Sequence, residues 1–225
     1  MPVISFASSK GGAGKTTSAI ILATELAEGA SVVLIDADPA ARLVRWSGLA
    51  TLPARLAVIR SGGEKMIQDE IAQARTRAAF VVIDLEGSAS RLASFAIAES
   101  DLVIVPTGDE QQDADEAIET LAQVTREGRA RRRPIPAVVL FARTNAAVKS
   151  KLEKHINGQL RAATRALATE LHRRTAFSSL HNAGGGLRGL DPLEVSGIDK
   201  AIDNAQAFAA EVVDILEEAR HAEVA

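Results

Sequence analysis

The chain has 225 residues, 47% hydrophobic and 24% charged, with a net charge of −3, the composition of an ordinary water-soluble globular protein. It has no cysteine, which excludes a disulfide scaffold, a thiolate zinc or iron–sulfur site and a cysteine nucleophile. Aromatic residues make up 3%, with no tyrosine, which argues against a stacking platform for single-stranded nucleic acid. The longest purely apolar runs, 78–83 and 137–142, hold six residues each, against the ~20 that a membrane span needs. No basic flank precedes an apolar stretch at the N-terminus, so no secretory signal is visible and we expect a cytoplasmic protein.

In chain order, short Val- and Ile-rich runs at 3–7, 32–35, 56–59, 80–84, 102–105 and 137–141 read as buried strands. Helical segments alternate with them at about 15–28, 64–77, 89–98 and 112–127. That alternation predicts right-handed crossovers and an α/β fold, a doubly wound and mostly parallel sheet covered on both faces. From 151 onward Leu152, Ile156, Leu160, Ala163, Leu167 and Leu171 recur at helical spacing. Asn157-Gly158 interrupts that run and 167–171 also alternates as a strand would, so both readings stand. A last stripe of Val195, Ile198, Ile202, Ala205, Phe208, Val212 and Ile215 predicts a core-facing helix over 193–220. Its other side is largely acidic, which argues against a membrane anchor. No repeat, linker or domain boundary interrupts the pattern.

The strongest chemical signal is Ser9-Lys10-Gly11-Gly12-Ala13-Gly14-Lys15-Thr16-Thr17, which follows the first strand and opens the first helix. Glycines in such a turn let successive N–H groups converge on phosphate oxygens, and the helix N-terminus adds its dipole. Lys15 can reach the β- and γ-phosphates of a nucleotide, and the Thr16 hydroxyl can ligate Mg²⁺. Five residues before Gly14 the usual loop has glycine; here Ser9 stands there, followed by a second lysine, Lys10. This resembles the deviant phosphate loop, Lys-Gly-Gly-x-Gly-Lys-Thr-Thr, of the ParA/MinD family of ATPases. The resemblance implies a P-loop fold that binds ATP and Mg²⁺ through Lys10, Gly11, Gly12, Ala13, Gly14, Lys15, Thr16 and Thr17. It also implies a homodimer formed with ATP, in which Lys10 crosses to the partner's phosphates. On chemistry alone, a second cation beside the triphosphate offsets charge in phosphoryl transfer, in cis or in trans.

Asp36-Ala37-Asp38-Pro39 follows the second strand, at the edge where a doubly wound sheet places its ligands. The family's Asp-x-Asp-Pro motif implies that Asp36 lies near the metal and that Asp38 positions the attacking water. It makes Lys10, Lys15 and Asp38 the catalytic set. Phe80-Val-Val-Ile-Asp84 is similar to the family's apolar strand ending in a metal-supporting carboxylate, so Thr16, Asp36 and Asp84 form the implied metal set. Leu85-Glu86-Gly87 departs from the commoner Thr-Pro-Pro, and Glu86 is an alternative general base. Val105-Pro106-Thr107 with Asp113 resembles the family's nucleotide-edge and dimer loop, and Arg143-Thr144-Asn145 its adenine contact. The four histidines, 155, 172, 181 and 221, lack metal-site spacing and read as surface or core residues.

The charge is segregated. Residues 1–125 carry a net −7, 126–174 a net +10 and 175–225 a net −6. Arg126, Arg129, Arg131, Arg132 and Arg133 cluster before Pro134, and Lys149 to Arg174 adds a second group. The expected DNA contacts are Arg131, Arg132, Arg133, Lys151, Lys154, Arg161 and Arg165, meeting duplex phosphates without base readout. No helix-turn-helix signature precedes the phosphate loop, so the resemblance points to a single short ParA-like domain over 1–225. It implies an ATP-dependent dimerisation switch on non-specific double-stranded DNA, nucleoid-associated, that partitions a plasmid, chromosome or other cargo. Slow Mg²⁺-dependent hydrolysis would reset it, stimulated by a ParB-like or other cargo adaptor. Trp46, Asp113-Ala-Asp115-Glu116-Ala117 and Arg174-Thr-Ala-Phe177 also resemble ParA-like ATPases that assist T-DNA or conjugative transfer with a relaxase. The alternatives of another class are a metabolic P-loop synthetase and a MinD-like membrane-surface ATPase; the acidic C-terminus disfavours stable membrane association.

Overall fold

The computed structural model describes residues 1–87, 90–145 and 149–224, with side chains described as far as His221. Seven parallel strands pair among these residues: β1 (Val3–Phe6), β2 (Val32–Ala37), β3 (Leu56–Arg60), β4 (Phe80–Leu85), β5 (Leu102–Thr107), β6 (Ala137–Thr144) and β7 (Leu171–His172). Their spatial order is β3-β2-β4-β1-β5-β6-β7. The helices are α1 (Lys15–Gly29), α2 (Arg42–Ser47), α3 (Ile67–Arg77), α4 (Arg91–Ala98), α5 (Gln111–Arg131), α6 (Lys151–Ala163), α7 (Thr175–Ala183) and α8 (Ile198–Val224).

The central strands are buried on both faces, which is why they read as unbroken apolar runs rather than alternating ones. Residues of α1, α2, α7 and α8 pack on one face, through Ile20, Leu43, Trp46, Phe177 and Phe208 among others. Residues of α3, α4, α5 and α6 pack on the other, around Ile67, Ile97, Val124 and Ile156. The doubly wound α/β architecture is therefore as expected. β1 and β4 are neighbours whose connections run to opposite sides of the sheet, from β1 to β2 and from β4 to β5, so the crevice opens at their C-terminal ends.

The boundaries differ from the expected ones for local reasons. β2, β5 and β6 run past their expected ends into Asp36, Thr107 and Thr144, which are buried at the sheet's C-terminal edge, and β4 runs one residue past the buried Asp84 to Leu85. α3 begins at Ile67 rather than 64, and α4 at Arg91, with the Ser90 hydroxyl accepting from the Ala93 N–H as its cap; residue 89 lies outside the described residues. The two readings of 151–171 each hold in part. A capping box at Ser150 and Glu153 starts α6, Thr164 ends it, and β7 then forms on the edge of β6. The last helix starts at Ile198 rather than 193, after Gly197 turns the chain at φ +71°. α2 and α7 were not expected. No helix among the described residues is long and apolar enough to cross a membrane.

Candidate nucleotide site

Gly12 and Gly14 adopt φ of +87° and +95°, a left-handed geometry that side chains resist, and this turn delivers the chain into α1. No side chain caps α1, so its first N–H groups face the cleft that the loop borders. The cleft has a volume of about 590 Å³, and Gly11, Lys15, Thr16, Thr17, Asp38 and Glu86 line it with Arg42, Gly87, Arg143 and His181. Gly87 holds the β4–α4 connection against the loop: a Cβ there would lie 2.7 Å from the Lys10 carbonyl.

Lys15 is buried, and its Nζ donates to the Lys10 carbonyl at 3.0 Å. Burial pushes its pKa down, and the nearby Asp84 and Asp38 carboxylates pull it back up. The Thr16 hydroxyl donates to Asp84 Oδ2 at 2.7 Å. Asp36 is buried beside them, accepting from the Val44 N–H at 2.9 Å and the Asp38 N–H at 3.3 Å. Asp38 accepts from the Ala40 N–H at 2.8 Å and faces Arg42 at 3.8 Å. The structure therefore brings Lys15, Thr16, Asp36, Asp38 and Asp84 to one end of the sheet.

Asp84 is fully buried, and burial raises its carboxyl pKa to about 7 despite the Thr16 hydrogen bond and the Lys15 charge. Its Oδ1 has no hydrogen-bond partner among the described residues. An orphaned buried carboxylate oxygen calls for a donor or a cation. With Thr16 and Asp36 it forms an all-oxygen set suited to a hard cation. No group of three or more His, Asp or Glu side chains able to hold a metal occurs among the described residues. These residues fit Mg²⁺ taken together with phosphates.

The raised Asp84 pKa makes the stability of the folded chain depend on pH. Its ordinary value applies in the unfolded chain, so the native state holds the proton longer, and stability is lost as pH rises from about 4 to about 7. Asp84→Asn in nucleotide- and metal-free buffer is expected to raise Tm over wild type by an amount that grows from pH 5 to 7. The gain levels off above about pH 8, at roughly 9–17 °C. A pH-independent difference would contradict the burial assignment.

Lys10 points elsewhere. Its Nζ lies 3.8 Å from Asp113 and 3.6 Å from Glu116 on α5, and it is not among the cleft-lining residues. The preceding Ser9 is tied to the same helix, its N–H donating to Thr120 Oγ1 at 3.1 Å. Asp113, expected near a dimer loop, thus meets the second loop lysine within its own chain. A second cavity of about 390 Å³ adjoins Gly14 and Thr17, lined by Arg143, Leu171, His172, Arg174, Phe177 and His181. Arg143, expected near adenine, lines both cavities at φ +59°.

The basic segment does not form one surface. α5 returns the chain to the N-terminal edge of the sheet, where Arg133 donates to the Ser100 carbonyl and Arg131 lies 3.6 Å from Glu99. Arg132 is exposed beside them. Lys151 and Lys154 are exposed on the first turns of α6, on the same edge as the cleft. Arg161 turns inward: it sits 4.7 Å over the Phe141 ring and donates to the Leu167 carbonyl and to Glu170. Arg165 is exposed and bound to Glu218 at 2.7 Å.

Two cleft residues escaped the sequence reading. Arg42 follows Asp38 by one helical turn, and an Asp-Pro-x-x-Arg spacing could have raised it. His181 comes from α7, 164 residues from the Thr17 it contacts, and nothing in the sequence links them.

The two-lysine loop, the carboxylates at the β2 and β4 ends and the parallel sheet define a P-loop ATPase of the ParA/MinD type. A family model described as VirC1 protein matches residues 1–218, and the chain belongs to that family. The protein ParA of Rhizobium radiobacter is 36% identical over 221 residues, 97% of this chain and 99% of its own length. The protein virC1 of the same organism is 30% identical over 190 residues, 82% of each chain. Among solved structures, McdA from Cyanothece superposes with a TM-score of 0.74 at 17% identity, covering 91% of this chain and 99% of McdA. A plasmid partition protein from Borrelia burgdorferi bound to AMPPNP gives 0.70 at 21%, covering 93% and 99%. These structural likenesses concern the fold.

Proposed function

We propose that the protein is an ATP-dependent dimerisation switch that binds duplex DNA non-specifically and partitions or positions a plasmid, chromosome or other cargo. The observation that carries this reading is the division of labour between the loop lysines. Lys15 is inside the cleft, whereas Lys10 projects out of it towards α5, as a cation would whose phosphates belong to another copy. The glycine turn and the α1 N-terminus hold the triphosphate, and Lys15 neutralises its β and γ groups. Thr16, Asp36 and Asp84 would hold Mg²⁺, which when bound offsets phosphate charge as a Lewis acid. Asp38, hydrogen-bonded to the Ala40 N–H, orients a water beside the cleft. The site turns over slowly, because the switch must persist on DNA, and a ParB-like or other cargo adaptor speeds it.

Lys151 and Lys154 are exposed on the cleft's edge of the sheet, within the segment of net +10, and we assign them the principal DNA contacts in the nucleoid-associated state. Binding of a random-sequence duplex is expected with ATP and not with ADP, falling steeply with salt. Lys151→Glu with Lys154→Glu should weaken it at least about tenfold by removing two phosphate contacts and adding repulsion. Equal binding in all nucleotide states would overturn the switch.

A second reading is a ParA-like ATPase that assists T-DNA or conjugative transfer with a relaxase. Trp46 and Phe177, two of the residues behind that resemblance, are both buried in the core on the α1 side of the sheet. A footprint confined to a transfer origin would favour it over partition.

A further inference from the structure

Of the four histidines, His181 reaches the phosphate loop. It lines both the 590 Å³ cleft and the 390 Å³ cavity, and so does Thr17. The His181 Nε2 and the Thr17 Oγ1 lie 2.7 Å apart, at the seam where the two cavities meet. α7 presents the ring from a fixed position, because Ala176, Phe177 and Leu180 are buried in the α1-side core. The turn that ends α7 is equally constrained. A Cβ on Gly184, at φ +73°, would lie 2.8 Å from the Ala50 nitrogen and from Leu49 Cβ in the α2–β3 connection.

A threonine hydroxyl has one proton to donate and lone pairs to accept with. If the ring accepts from Thr17, that proton is used up within the protein. If the ring donates from Nε2, the Thr17 proton is left to point at an anionic ligand. We propose that His181 is a nucleotide-positioning residue: its Nε2–H fixes the Thr17 hydroxyl as a donor to the phosphate–ribose portion of a nucleotide lying across both cavities. Burial, with the Arg42 charge acting in the same direction, lowers the ring's pKa and favours the neutral form that can take this tautomer. The inference rests on the nucleotide reading of the loop and adds to it a residue from the far end of the chain.

Calorimetric titration of Mg-ATP and Mg-ADP into wild type, His181→Ala, His181→Gln, Thr17→Val and the Thr17→Val/His181→Ala double variant tests it. His181→Ala is expected to weaken both nucleotides by the same factor, about five- to tenfold, since both share the segment that Thr17 meets. His181→Gln, whose amide can still donate, should recover binding to within about twofold. The double variant should bind no more weakly than Thr17→Val alone, because His181 acts through that hydroxyl. Unchanged affinity in His181→Ala, or additive losses in the double variant, would overturn the positioning role. A wild-type chain that binds neither nucleotide would instead overturn the reading of the phosphate loop, and this role with it.

Discussion

Lys15→Ala is expected to lower ATP affinity by more than about 100-fold, the largest effect of any single substitution in the cleft. The side chain is already desolvated, with its ammonium held at the loop by the Lys10 carbonyl, so its attraction to phosphate is weakly screened. It costs the free protein something to keep an ammonium there, since burial lowers its pKa. The alanine variant should therefore fold as well as wild type while failing to bind, which separates the loss of a contact from loss of structure. The emission of Trp46, the one tryptophan, buried on α2 beyond the Asp38 turn, offers a direct readout. Affinity within fivefold of wild type would mean that Lys15 does not meet the phosphates.

Lys10→Ala is expected to behave oppositely. ATP should still bind within about threefold of wild type, because Lys10 does not line the cleft of its own chain. Formation of the ATP-dependent dimer should be lost, because no cation then crosses to the partner's triphosphate. The pairs that the exposed Lys10 makes with the half-buried Asp113 and Glu116 are each long, at 3.8 and 3.6 Å, and such pairs contribute about 1 kcal/mol or less. Tm should therefore move little. A Lys10→Ala variant that dimerises with ATP as wild type does would place the second cation's role elsewhere.

How much of this was legible in the sequence follows from what each element depends on. β1, β2 and β5 are buried throughout and β4 from Val81 on, and their apolar runs show it; Asp36 and Thr107, polar residues near the ends of β2 and β5, do not look like strand. The loop and the carboxylates were readable because each is adjacent in sequence to the strand that positions it. α2 has six residues, two of them buried, and starts after Ala41 at φ +50° with no side-chain cap, so neither periodicity nor a start signal reveals it. α7 likewise lacks a side-chain cap. Arg42 and His181 enter the cleft on these two helices; Arg42 stands only four residues after Asp38, whereas tertiary packing alone brings His181 there. The +10 segment was readable as composition, but not its division between sheet edges. That division depends on α5 reversing the chain and on Arg161 finding Phe141 and Glu170.

The central claim is that ATP, and not ADP, brings two copies together around the loop lysines. Mass measurement by light scattering on the full chain with saturating Mg-ATP and then with Mg-ADP tests it most directly. The account predicts twice the monomer mass with ATP and the monomer mass with ADP. A monomer in both nucleotides, with ATP shown to be bound, would contradict it.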